Sequence, residues 1–146
     1  MIRLATPADA ARVAAIYAPG VERTIASFED VAPDAAEMAR RITTTLPTYP
    51  WLVCDLPGAG VAGYAYAAAY HPRGGYRWSV TASVYVDEAF HRRGIGRGLY
   101  TSLFGILRAQ GYLNAYALIA VPNSGSVALH ESQGFRLVGK IGRAHV

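Results

Sequence analysis

From Trp78 to Val86 the chain alternates with a period of two, placing Trp78, Val80, Ala82, Val84 and Val86 on one face and Ser79, Thr81, Ser83 and Tyr85 on the other. That pattern predicts a central strand. The spacing then changes to that of a helix at Ile95, Leu99, Leu103, Ile106 and Leu107, with Gly111 as its cap. Between the two lies a short turn rich in arginine and glycine.

Upstream, Ile2 to Ala5 reads as a short strand. Thr6-Pro7-Ala8-Asp9 starts a helix, with Thr6 as cap, Pro7 in the first turn and Asp9 returning the capping-box bond. Val13, Ile16 and Tyr17 continue it, and Pro19-Gly20 is expected to end it. Val21 to Val31 is irregular. Pro33-Asp34 restarts helix with Ala35, Met38, Ile42 and Leu46 as its stripe and Arg40 and Arg41 facing out, until Pro47. Trp51 to Cys54 and Val61 to Tyr70 predict a hairpin about Leu56-Pro57-Gly58-Ala59-Gly60. Farther on, Ala115 to Val121 reads as a strand, Asn123 caps a short helix through Ser132 that Gly134 closes, and Phe135 to Val138 is a last strand. The order is β α α β β β α β α β. It predicts an α/β (α+β) layered domain in which an antiparallel meander is followed by βαβ units, with helices on both faces of a mixed sheet.

Length and composition fit one domain: 146 residues, 52% of them apolar. A net charge of +4 suits an anionic ligand. The arginines gather at one turn instead of forming an extended basic stripe, which favours a phosphorylated small molecule and argues against nucleic acid. The single cysteine, Cys54, has no partner for an internal disulfide and no metal-site spacing, so a small core residue in a reducing compartment is expected. No metal site is expected. The sequence carries neither a signal-peptide pattern nor a run of about 18 apolar residues, and a cytoplasmic location is expected.

In the turn, glycines let backbone N–H groups converge on one anion, the following helix adds the positive end of its dipole, and Arg92, Arg93 and Arg97 add formal charge. No Lys-Ser or Lys-Thr follows the glycines, which excludes a Walker loop. The Gly94-x-Gly96-x-Gly98 spacing, after a meander, is a poor dinucleotide fingerprint.

The run Arg92-Arg93-Gly94-Ile95-Gly96-Arg97-Gly98-Leu99-Tyr100, after Ser83-Val84-Tyr85-Val86, resembles the acetyl-coenzyme A pyrophosphate loop of the GNAT N-acetyltransferases. Val121-Pro122-Asn123, Ser126, Leu129-His130-Glu131 and Gly134-Phe135 are similar to the second half of that family's signature. Within the family the phosphinothricin acetyltransferase group is nearest, through Pro7-Ala8-Asp9, Ser27-Phe28-Glu29, Pro50-Trp51-Leu52-Val53, Gly63-Tyr64-Ala65-Tyr66 and the stretch from Arg73 to Val80.

The resemblance implies acetyl transfer from acetyl-CoA to the amine of a small amino-acid analogue of the phosphinothricin or methionine sulfoximine type, by direct attack in a ternary complex. It implies that Val84, Tyr85 and Val86 hold the pantetheine arm, that the amides from Arg93 through Gly94, Ile95, Gly96 and Arg97 to Gly98, with Arg92, hold the pyrophosphate, and that Asn123 and Ser126 assist. It implies a bulge that splays the Val84 strand from the next parallel one. His130 is then the group that returns a proton to the leaving thiolate. It can also be read as packing at the end of a helix. Asn123 can bond the cofactor arm, cap its helix, or do both.

Thr81 stands where the group commonly has a glutamate that accepts the amine proton. Glu29, Tyr85 or a water held by Thr81 and Ser83 are the substitutes considered, as is an amine that arrives partly neutral. Arg73 corresponds to an acceptor-pocket arginine, or is a solvated loop residue. Phe28, Glu29 and Tyr76 join it as candidate substrate contacts, and the strand aromatics Tyr64, Tyr66 and Trp78 read as pocket wall or as core.

Relatives continue past the Gly-Phe strand into a final strand that is expected to be missing here. Residues 1–140 are expected to form the acetyltransferase domain. Residues 141–146 resemble a translated sequencing adapter and are expected to be a non-native tail. An acyl-CoA-binding module without catalytic competence is the alternative in another class, and a basic nucleic-acid binder is a weaker one. Relatives are often dimers, which leaves a homodimer open.

Overall fold

The structure is a computed structural model that describes residues 1–24 and 26–142. Arg143 to Val146, most of the expected tail, and Ile25, in the segment expected to be irregular, lie outside the described residues. The elements are β1 (Ile2–Leu4), α1 (Ala10–Glu22), α2 (Ala35–Thr45), β2 (Trp51–Leu56), β3 (Gly60–Ala69), β4 (Ser79–Val86), α3 (Ile95–Ala109), β5 (Asn114–Tyr116) and α4 (Ser124–Ser132). The strands form one sheet in the order β1-β2-β3-β4-β5, antiparallel except for the parallel pair β4 and β5. This is the expected meander followed by a βαβ unit.

Helices cover both faces, because the strands are apolar on both. On one side Val13, Ile16 and Tyr17 of α1 and Met38 and Ile42 of α2 bury Trp51, Val53 and Tyr64. On the other, Ile95, Leu99, Tyr100, Leu103 and Leu107 of α3 lie on Leu52, Ala65, Ala67, Val80 and Ala82. Each fully buried Leu contributes roughly 1.5–3 kcal/mol. The alanines on this side let α3 sit close to the sheet.

Four expectations are corrected. Pro19 does not end α1, which runs on to Glu22. Pro19 forgoes its own N–H bond and crowds the carbonyl one turn earlier, but its own carbonyl still accepts from Arg23 at 3.0 Å and Val21 packs on the core. Arg41 does not face out: it turns back on Glu29, with N–O distances of 2.6 and 3.1 Å. The strand expected from Ala115 to Val121 is only β5, paired through Ser79↔Asn114, Val80↔Ala115 and Thr81↔Tyr116. The last strand at Phe135 to Val138 is absent. Phe135 closes α4 instead, its N–H donating to the His130 carbonyl at 3.1 Å beside Gly134 at φ 87°.

Candidate active site

Past Thr81 and Tyr116 the two parallel strands part, and the gap is the mouth of a cleft of about 920 Å³. The expected bulge in β4 is not what opens it. Pairing of β4 with β3 is unbroken from Gly63↔Val86 to Ala69↔Val80, and the irregular residue is Ala62 of β3, on the side facing β2. The strands separate because the chain after Tyr116 leaves the ladder.

Alternation along β4 fixes what the cleft receives. Asp87 N–H donates to the Ala62 carbonyl at 2.9 Å, which sets the phase of the antiparallel ladder. Residues 81, 83 and 85 therefore bond to β3, and residues 82, 84 and 86 turn their backbone groups to the opposite edge. The carbonyls of Ala82 and Val86 agree, since they accept from side chains, Tyr100 Oη at 3.4 Å and His91 Nε2 at 2.9 Å. The N–H and C=O of Val84 thus point into the cleft.

The turn that follows is wound for an anion. Arg92 at φ 60° and Gly94 at φ 75° are both left-handed, and Gly94 is the N-cap of α3. The amides of Ile95, Gly96 and Arg97 in the first turn of the helix have no carbonyl one turn earlier to bond. A Cβ on Gly96 would stand 3.0 Å from Leu129 Cδ2, so a larger residue would require the Leu129 side chain to shift where α3 and α4 meet. Gly98 differs from expectation: its N–H is taken by the Gly94 carbonyl at 2.9 Å, and a Cβ there would stand 3.3 Å from Ile2 Cδ1, so its smallness serves packing. Arg92 and Arg97 line the cleft, whereas the Arg93 guanidinium lies 5.3 Å from the Phe90 ring centroid. From α1, Arg12 pairs with Asp87 and donates to the Val61 carbonyl at 2.9 Å, tying the start of the turn to the sheet. The Ala89 amide first, and then Arg12, hold the Asp87 carboxyl below its usual range.

The opposite wall comes from α4. Asn123 Oδ1 accepts from Ser126 N–H at 3.2 Å, and both residues line the cleft. His130 is buried, with Nδ1 2.7 Å from the Ser126 carbonyl and Nε2 2.8 Å from Tyr100 Oη. A carbonyl only accepts, so Nδ1 carries the proton, and in the neutral ring Nε2 accepts from the Tyr100 hydroxyl. Phe135 packs edge-on to the His130 ring at 5.0 Å. Sequence reasoning missed Tyr100, which it would have counted with the apolar stripe of α3. Its hydroxyl is distinguished only by what α4 and β4 bring to it, and burial pushes its ionisation up.

Thr81 falls just short of the cleft. It is paired with Tyr116, and its hydroxyl donates to the Ala68 carbonyl at 3.4 Å. Glu29 is held by Arg41 and by Tyr17 Oη at 2.5 Å, so its carboxyl lies below the usual range, chiefly through Arg41. Burial, followed by Glu29, pushes Tyr17 up to about 12. Burial likewise raises Tyr85, which removes it as a base near neutrality. Tyr17 and Arg41 face a second, smaller cavity of about 130 Å³ with Trp51, Tyr64 and Tyr66, and the buried Trp51 Nε1 has no hydrogen-bond partner among the described residues. Tyr64 is core and the half-buried Tyr66 packs against it, both stacked with Trp51, at 5.7 and 4.3 Å, and both walling this smaller cavity and not the cleft. Phe28 is 90% exposed. Arg73 is exposed, and Tyr76 sits in an exposed cluster with Tyr70 and His71. The structure does not bring these three loop residues to the cleft.

Comparisons with known proteins agree with this geometry. A family model described as an acetyltransferase (GNAT) domain matches residues 2–145. The chain is 37% identical over 140 residues to a phosphinothricin N-acetyltransferase of Streptomyces viridochromogenes, covering 96% of this chain and 76% of that protein. It is 34% identical to an L-methionine sulfoximine/L-methionine sulfone acetyltransferase of Pseudomonas aeruginosa, covering 96% and 82%. Among solved structures, a phosphinothricin acetyltransferase of the GNAT superfamily from Sinorhizobium meliloti, in complex with acetyl-CoA, superposes with a TM-score of 0.90 at 36% identity, covering 95% of this chain and 76% of that one.

Proposed function

The chain belongs to the GNAT family of N-acetyltransferases, and from that premise we propose that it transfers acetyl from acetyl-CoA to the α-amine of a small amino-acid analogue, by direct attack in a ternary complex in the cytoplasm. The observation that carries the donor half is the splayed edge of β4 running into a turn of unpaired amides at the head of α3. The residues present fit that donor. Val84 offers N–H and C=O to an extended amide-bearing arm, and Ile95, Gly96 and Arg97 offer amides to a pyrophosphate, with Arg92 and Arg97 for charge. Gly94 supplies the left-handed turn at φ 75° that starts α3, and Gly96 lets that helix lie against Leu129 of α4.

Acetyl-CoA, when bound, supplies an activated thioester carbonyl. The chain's own residues then have two tasks, to receive a proton from the attacking amine and to return one to the departing sulfur. His130, buried at the cleft wall, is the source for the second. For the first, the ion pair of Glu29 and the raised phenol of Tyr85 disfavour two of the candidates. What is left is a water on Ser83, which lines the cleft, or an amine that enters neutral. The names of the relatives support phosphinothricin and methionine sulfoximine as acceptors.

Calorimetric titration with acetyl-CoA, beside thiol release with phosphinothricin, methionine sulfoximine and a peptide amine, tests the reading. Binding with turnover of the two amino-acid analogues is expected. Binding without turnover of any amine supports the binding-only module, and absence of binding overturns the donor assignment.

A further inference from the structure

Both ring nitrogens of His130 are committed. Nδ1 donates to the Ser126 carbonyl at 2.7 Å and Nε2 meets Tyr100 Oη at 2.8 Å. The imidazole therefore has no third N–H to turn toward a substrate. Oη of Tyr100 has a second neighbour, the Ala82 carbonyl at 3.4 Å, a long contact at the residue where β4 leaves β5. Tyr100 and Ala82 both line the cleft.

We infer that the proton for the departing thiolate leaves from the Tyr100 hydroxyl and that His130 replaces it. The inference rests on the acetyl-transfer reading above. In the imidazolium form, Nε2–H donates to Tyr100 Oη, and the hydroxyl hydrogen is released from the ring nitrogen toward the Ala82 carbonyl and the cleft. As the carbon–sulfur bond breaks, the Oη–H bond breaks and an S–H bond forms. The Nε2–H bond of His130 breaks in turn and Oη regains a hydrogen. The tyrosine ends as it began, the thiolate has become a thiol, and the imidazolium has become neutral imidazole, so no phenolate persists. That suits a phenol whose ionisation burial disfavours.

The surroundings limit the relay to this pair. Phe135 lies edge-on against the imidazole, and Phe104 of α3 stacks on Tyr100 at 4.9 Å. From the sheet, the ionisable groups that act on Tyr100 are Tyr85 and Tyr66, both raised by burial and neutral in the working range. From α4, the Ser126 hydroxyl approaches Nδ1 at 3.4 Å and carries no charge.

The test pairs kinetics with a readout that needs no turnover. Tyr100→Phe keeps the ring and removes the hydroxyl. It is expected to lower kcat about a hundredfold, the lower end of the usual effect of a positioned acid, with the KM for acetyl-CoA nearly unchanged. His130→Phe should cost a similar factor, and the double variant no more than either single one, because both interrupt one relay. The limb of the kcat–pH profile on which activity falls as the imidazole loses its proton should vanish in Tyr100→Phe, which a packing role would not produce. Nitrogen-15 NMR of the unliganded protein, titrated until the ring is neutral, should show Nδ1 protonated and Nε2 bare in that form. A Tyr100→Phe enzyme that retains kcat and the wild-type pH limb overturns the inference, as does an Nε2–H tautomer. If wild type binds acetyl-CoA but acetylates no amine, the parent reading fails, and the NMR result separately decides the hydrogen-bond arrangement.

Discussion

The Cβ that Gly96 lacks would stand 3.0 Å from Leu129 Cδ2 and 3.7 Å from Val86 Cγ2. Three elements that bound the cleft, α3, α4 and β4, thus converge on one missing side chain. Gly96→Val should separate them, lowering stability by about 1–3 kcal/mol as overpacking does and weakening acetyl-CoA binding at least tenfold. Thermal unfolding and calorimetry would check the two effects.

Gly94 tests conformation instead of space. Its Cβ would meet nothing within 4 Å, but its φ of 75° is left-handed. Gly94→Ala is expected to cost about 1 kcal/mol through strain alone. Gly105, midway along α3, also faces open space and has ordinary helical backbone. Gly105→Ala should therefore stabilise by about 0.5–1 kcal/mol. Opposite signs for the two alanines, measured by chemical denaturation, would confirm the conformational account.

The Arg3 guanidinium grips Asp9 with two bonds of 2.9 Å and reaches Asp55 at 2.9 Å, while the Thr6 amide donates to Asp9 at 2.8 Å. Arg3 above all, opposed by burial, lowers the Asp9 carboxyl below its ordinary value. Because the folded state holds the lower value, the associated stability is fully present above the unfolded carboxyl's range near pH 4. It is lost as the pH falls through the folded value. Asp9→Asn should cost about 2 kcal/mol at pH 7 and flatten the acid limb of the stability–pH curve.

Arg41 holds the Glu29 carboxyl below its usual range, which weakens it as a base. Glu29→Gln should leave kcat within about threefold and its pH profile unmoved, whereas removing a true general base costs about a hundredfold or more. Steady-state rates across pH would show which holds.

The sequence carried β4 and α3 because each has a clean period, and the anion turn because glycine and arginine have few other reasons to cluster between such elements. What it hid depends on partners distant in the chain. The apolar run after Tyr116 looks like a strand, yet a strand needs a ladder and here the neighbour has diverged. Arg41 on a helical pattern reads as a surface charge until Glu29, from the segment before α2, folds against it. Pro19 reads as a stop because sequence shows the lost N–H and not the core contact of Val21 beyond it. Tyr100 was invisible as a polar residue for the same reason: its two partners lie 18 and 30 positions away.

The alanines beneath α3 bear on both ends of the reaction. Ile95 and Tyr100 are five residues apart on one helix, about 7.5 Å along its axis by the rise per residue. The phosphate end of the donor and the hydroxyl facing the Ala82 carbonyl are therefore mounted on a single rigid rod, and Ala65, Ala67 and Ala82 are the shims that set its height above the sheet. Thickening any shim would lift both ends together, so donor affinity and turnover should decline in step.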